Sequence, residues 1–191
     1  GAPRVEPHCE VRVSGGGPAA PPISPRLADP GRAVGMLEKS RHPRFHIGES
    51  LLPFNIPLFD RLGVGKEIET IGIPKYGAEF VSPWHDRPAM YEFVNAMGNP
   101  FPSTYQVRRS QFDEILFRHA TRKGARTFEA CRVTAVDFTP EGATVTARGE
   151  DGAEQRWSTR FVVDASGRDT FLASRMGIKR RNPKHNSAAL Y

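Results

Sequence analysis

Hydrophobic and polar positions change their period several times along this chain, and each change marks an element. Residues 9–14, C-E-V-R-V-S, alternate as a strand does and then stop at Gly15-Gly16-Gly17. Ile23 and Leu27 keep helical spacing, which predicts a helix over Ile23–Asp29, and residues 33–38, A-V-G-M-L-E, read as the next strand. Strand, helix and strand within about thirty residues form a βαβ unit with parallel strands. The polar stretch Gly1–Pro7 is expected to be disordered. Pro53–Leu62 predicts a short helix closed by Gly63. Glu79–Pro83 and Ala89–Met97 read as strands of an inserted sheet, with a turn at His85-Asp86-Arg87 between them.

The clearest helix is Ser110–Lys123. Ser110 is its expected cap, Asp113 follows three residues on as in a capping box, and Gly124 stops it. Phe112, Ile115 and Leu116 form its buried stripe, with His119 on the same face as a packed or half-exposed histidine. From Thr127 to Val163 three or four short strands alternate with turns at Pro140-Glu141-Gly142 and Gly149-Glu150-Asp151-Gly152. They predict an antiparallel meander that rejoins the parallel sheet at Phe161-Val162-Val163.

Composition narrows the class. A chain of 191 residues, 38% hydrophobic, is long enough for one domain with its own core. No apolar run approaches the ~20 residues of a membrane helix, and no signal-peptide pattern opens the chain. Cys9 and Cys131 make no metal or redox spacing; they read as buried thiols of a reduced, cytoplasmic protein. The net charge is +6. Its dense basic run, Lys179-Arg180-Arg181 with Lys184, lacks the interleaved aromatics of a nucleic-acid face and reads as a solvated turn.

The chemistry begins at the glycines. In G-x-G-x-x-A, Gly15 turns the chain, Gly17 lets a pyrophosphate approach the backbone, and Ala20 takes the close-packed third position. Glu38, about twenty residues on at the end of the second strand, is placed to accept hydrogen bonds from an adenosine ribose. Pro18 costs nothing at a first helical position. Pro21, Pro22, Pro25 and Pro30 do not fit. Each proline inside a helix costs roughly 3 kcal/mol, so the stretch predicts a broken helix. Either the coding sequence is corrupted or decaying, or the turn is distorted and still works.

Two further segments carry a resemblance. H-P-R-F-H-I-G-E-S-L-L-P, ending at Pro53, and V-V-D-A-S-G-R, residues 162–168, together with the glycine turn, are similar to the flavin-dependent halogenase and aromatic hydroxylase superfamily. The first run looks most like its halogenase branch. The resemblance implies an α/β fold: a Rossmann-type FAD-binding domain of parallel sheet plus antiparallel meander, with the start of an inserted substrate sheet. Residues 1–70 and 106–191 would be its two FAD-binding parts and 71–105 the insert.

It implies FAD as cofactor, held by Gly15, Gly17, Ala20, Glu38, Lys39, Arg44, Ser50, Arg108, Val133, Asp164 and Gly167. Arg44 would meet the adenosine or phosphate region, and Glu49 and Ser50 would pass near the isoalloxazine. Arg108, with Arg109 second to it, would reach the pyrophosphate. Lys75, in I-P-K-Y-G-A-E-F, matches the lysine that guides hypohalous acid, which makes Lys75, Glu49 and Ser50 the expected catalytic set. The implied partners are a separate flavin reductase, halide, and an electron-rich aromatic, including one tethered to a carrier protein. The alternatives are a flavin monooxygenase or reductase that uses no halide, and a non-catalytic fragment. The superfamily's later Gly-Asp motif and the W-x-W-x-I-P signature do not occur in residues 1–191, so the chain reads as truncated.

Overall fold

A computed structural model describes residues 4–20, 33–96, 98 and 101–184. The expected helix Ile23–Asp29 and Pro21, Pro22, Pro25 and Pro30 lie outside them.

The frame is a six-stranded sheet in the order β7-β2-β1-β10-β9-β8. β1 (Arg4–Ser14), β2 (Val34–Leu37), β7 (Arg126–Phe128) and β10 (Glu154–Asp164) run parallel. β8 (Arg132–Thr139) and β9 (Gly142–Arg148) continue the sheet antiparallel from β10. The meander and the parallel sheet are therefore joined by one long strand, with no break before Phe161. β10 also corrects the expectation for the N-terminus. Arg4, Val5 and Glu6 belong to β1 because Gln155, Arg156 and Trp157 offer them a ladder, a pairing no local pattern announces.

Alternation along β1 sends Val11 and Val13 to one face, where Val34, Met36, Phe117 and Ala120 close the core. Arg12 goes to the other face and is 2% exposed. Its guanidinium lies 4.9 Å from the Trp157 ring centroid and 5.8 Å from that of Phe128. Gly35 opposes it in β2, where a β-carbon would stand 2.0 Å from an Arg12 nitrogen. A glycine mid-strand is thus the room a buried arginine needs.

Between β2 and β7 the chain builds the rest. α1 (Ile56–Leu62) follows a 3-10 turn at Pro53–Asn55 and ends on Gly63, whose φ of 78° is the left-handed cap. α2 (Gly65–Ile71) comes next, then β3 (Ile73–Lys75), which pairs with β6 (Thr104–Gln106). β4 (Gly77–Phe80) and β5 (Ala89–Glu92) make a separate hairpin around the expected His85-Asp86-Arg87 turn. Both hairpin strands are shorter than expected, and a 3-10 turn at Phe93–Asn95 follows the second.

α3 (Arg109–Arg122) packs Phe112 and Leu116 against Phe59, Leu62 and Ile68. The cap expected of it is wrong. Arg108 is the N-cap residue and makes no side-chain cap bond, and Ser110 sits inside the helix. Asp113 does not close a capping box, because Arg109 holds it at 2.9 Å. A buried arginine is a stronger claimant for a carboxylate than a free backbone amide. α4 (Phe171–Arg175) follows β10. Among the described residues no helix is long and apolar enough to cross a membrane.

Candidate functional site

Three strand ends meet at one point. β1 and β2 stop side by side, with Ser14 opposite Leu37, and Ser14 is also in register with Asp164 of β10. The loops leaving these ends line a cavity of about 610 Å³, within the usual range for a small-molecule site. Carboxyl ends of neighbouring parallel strands are where open α/β sheets place their ligands.

Gly15 forms the tight turn. Its φ is 118°, and a β-carbon there would stand 2.3 Å from the Ala165 carbonyl oxygen, so only glycine fits. Gly16 is confined too, though by a side chain: a β-carbon there would stand 2.7–2.9 Å from Glu38 atoms. Gly17 is not: a β-carbon would meet only the Arg44 guanidinium, at 3.7 Å. The first two glycines therefore let three loops close together, and Gly17 keeps backbone accessible at the cavity wall. Ala20 is fully buried against Val11, Val13 and Phe117, a packing position rather than a lining one.

Glu38 is 3% exposed and anchored by backbone amides. Gly16 N–H donates to its Oε2 at 2.5 Å and Ser40 N–H to its Oε1 at 2.8 Å. Arg44 reaches into the same wall, its Nη2 3.6 Å from Glu38 Oε2 and 3.7 Å from Asp113 Oδ2. Its Nε is buried without a hydrogen-bond partner. His46 lines the cavity beside it. Burial, then the charges of Arg109 and Arg44, lower its pKa below the ordinary histidine value and favour the neutral ring.

The turn after β10 is held by Asp164. Its Oδ1 accepts from Ser166 N–H at 2.9 Å and its Oδ2 from Leu172 N–H at 2.8 Å. Burial raises its pKa, but the bonds from Ser166 and Leu172 outweigh this and the net shift is downward. Asp164 thus shapes the loop that presents Gly167, while Gly167 itself lines the cavity. Asp169 and Lys39 pair at 2.5 Å across the cavity wall, both about half exposed. Cys131 and Val133 line the opposite side, and burial pushes the Cys131 thiol up to about 11.

The structure brings Gly15, Gly17, Glu38, Lys39, Arg44, Val133 and Gly167 to one cavity. Arg108 is an exposed N-cap residue outside that lining, and Arg109 is the buried arginine. Lys75, Glu49 and Ser50 lie beyond the lining as well. Ser50 bridges to Gln106 of β6, and the Lys75 ammonium donates to the Ser50 hydroxyl while sitting 5.1 Å from the Phe93 ring centroid. Glu49 is exposed, its carbonyl accepting from Val107 N–H at 2.9 Å.

Sequence reasoning missed His46, Asp113 and Asp169. Only Asp113 left a signal, its i,i+4 spacing from Arg109. Among the described residues no group of His, Cys, Asp or Glu is arranged to hold a metal ion.

A glycine turn on β1, an acid ending β2 and a third loop after β10, around one cavity, define a dinucleotide-binding domain of the Rossmann type. The chain belongs to the FAD binding domain family, which it matches over residues 8–190, and FAD is the cofactor of that family. The residues present fit it: a glycine turn open at Gly17, a buried acid at the end of β2 and an arginine whose Nε has no hydrogen-bond partner. The chain is 36% identical over 181 residues to a flavin-dependent halogenase of Armillaria mellea, covering 90% of this chain and 34% of that one. It is 30% identical over 201 residues to a 1H-pyrrole-2-carbonyl-(peptidyl-carrier protein) chlorinase of Pseudomonas fluorescens, covering 95% and 44%. The solved myxobacterial chondrochloren halogenase superposes with a TM-score of 0.79 at 34% identity, covering 88% of this chain and 39% of that one. The chain thus spans between a third and a half of the length of these relatives.

Proposed function

We propose that this chain is the FAD-binding part of a flavin-dependent halogenase acting on an electron-rich aromatic. The observation that carries the reading is the contact of Lys75 with Ser50. One short segment begins at Arg44, on the cavity wall, and ends at Ser50, on the lysine. An ammonium held by a hydroxyl and a phenyl face keeps a donor aimed while staying half-buried. Reduced FAD supplies the electrons that activate oxygen for halide oxidation. The chain's own part is to grip the adenosine with Glu38, the phosphates with Arg44 and the Gly15–Gly17 turn, and the adenine with Val133. Lys75 then hydrogen-bonds hypohalous acid and delivers it to the ring.

Residues 71–105 are the substrate-side insert in this reading. A separate reductase supplies the reduced flavin, and the substrate is a free aromatic or, as the name of the chlorinase relative states for that enzyme, an acyl group on a carrier protein. Two free, buried cysteines fit a reducing compartment.

The test is product analysis by mass spectrometry for the protein carrying this chain. It is supplied with FAD, a flavin reductase, oxygen and chloride or bromide, against phenols, indoles and pyrroles. Halogenated product is expected, falling about 10²-fold or more in Lys75→Ala while oxygen consumption continues. Hydroxylated product with no halide incorporation, or an unchanged Lys75→Ala, would overturn the reading.

A further inference from the structure

Arg44 stands between two carboxylates and hydrogen-bonds to neither. It is 3.6 Å from Glu38 Oε2 and 3.7 Å from Asp113 Oδ2, beyond hydrogen-bond reach of both. Each carboxylate is tied down elsewhere. Glu38 is fixed by the backbone of Gly16 and Ser40. Asp113, whose side chain is wholly buried, takes Arg109 in a fork, Nε to Oδ1 at 2.9 Å and Nη2 to Oδ2 at 3.1 Å. Arg109 in turn donates to the Ile47 carbonyl at 2.6 Å, pinning the segment that carries Arg44.

We propose that Asp113 is a positioning residue for the cofactor's phosphates, holding Arg44 off Glu38 so that both stay open to the ligand. It rests on the reading that Arg44 meets the FAD phosphates. Coulomb attraction in this partly buried wall rises steeply as separation falls. With Asp113 neutral, nothing opposes the closing of Arg44 onto Glu38. A tight pair there would occupy the acceptor meant for the ribose and the donors meant for phosphate. Balanced by a second carboxylate, Arg44 keeps its fork free, and the four charges of Glu38, Arg44, Asp113 and Arg109 sum to zero before the dianionic pyrophosphate arrives. Asp113 touches no reacting atom; it acts through Arg44.

The test is a double-mutant cycle read by FAD affinity of the purified chain, through quenching of flavin fluorescence. Arg44→Gln and Asp113→Asn should each weaken FAD at least tenfold. The double variant should be no weaker than Arg44→Gln by more than about twofold, and Asp113→Glu should recover part of the loss. An Arg44→Gln variant that binds FAD normally sinks the phosphate reading of Arg44 and the proposal with it. If Arg44→Gln weakens binding but Asp113→Asn is silent, or adds its full loss on top, only the positioning role falls. Should Asp113→Asn lose its circular-dichroism spectrum, Arg109→Gln carries the same test. It frees Asp113 to draw Arg44 away, so FAD should weaken, with no further loss in the Arg44→Gln background. An unchanged affinity in Arg109→Gln overturns the proposal.

Discussion

The sheet that carries the candidate cavity and the β4–β5 hairpin each reverse the usual placement of side chains, and in opposite directions. In the sheet, charged residues are buried: Arg12 in β1 is 2% exposed and Glu38, at the end of β2, 3%. In the hairpin, aromatic and aliphatic residues face outward, with Trp84 82% exposed and Val81 80%. The difference is in the neighbours. A central parallel strand is flanked on both edges and covered on both faces, so even an arginine finds aromatic walls. A two-stranded ribbon has two open faces, and alternation along it covers nothing by itself.

The widest separation between the two regions should appear with tryptophan. Trp157 is 1% exposed in the cluster of Leu37, Cys131, Val145 and Ala147. Trp157→Ala should cost about 3–5 kcal/mol of unfolding free energy in a urea titration, and Trp84→Ala within about 0.5 kcal/mol. Comparable losses at both positions would break the comparison.

A smaller contrast lies in pH. Burial, then the charges of Arg122 and Lys123, lower the pKa of His119, so the folded chain holds its proton less tightly than the unfolded one. Stability from this histidine is complete above about pH 6.5 and is lost as pH falls from there through the lowered folded value. Asp164, also lowered, acts in the same direction further down. Its contribution is complete above about pH 4 and disappears as pH falls through its folded value. Thermal midpoints followed from pH 7 to pH 3 should show both limbs. His119→Gln should flatten the first and Asp164→Asn the second; unchanged profiles would refute these assignments.

The smallest effect is expected on the cavity rim. Lys39 and Asp169 pair at 2.5 Å but are 46% and 58% exposed, so solvent screens them. Asp169→Asn should cost less than about 1 kcal/mol in low salt and nothing measurable in 1 M salt. A larger, salt-resistant loss would mean that the rim is as rigid as the cavity wall.

Much of the candidate site is legible in the residues because it is made locally. Gly15, Gly17 and Glu38 sit at strand ends whose positions the alternation already marks, and a glycine's φ is a property of its own backbone. The same holds for Gly63 ending α1. The Asp164 turn is local too, its oxygens serving amides two and eight residues away. Where the reading failed, distant chain decided. The capping box spelled by Ser110 and Asp113 is an exception, lost to Arg109 only four residues away. Arg4–Glu6 look like a polar tail until β10 pairs with them. Arg108 and Arg109 are chemically alike, and only packing buries one and exposes the other.

By itself, then, the sequence determined the strands that become β1 and β2, the helices at Pro53–Leu62 and Ser110–Lys123 to within a residue or a turn, the glycine turn, the acid that ends β2 and the family to which they belong. These follow from periodicity and backbone stereochemistry, which act between near neighbours. The tertiary structure alone decided which charges are buried, that Lys75 meets Ser50, and that Arg44 stands balanced between Glu38 and Asp113. Such contacts depend on distances between segments far apart in the chain, and those distances exist only once the sheet has closed around them.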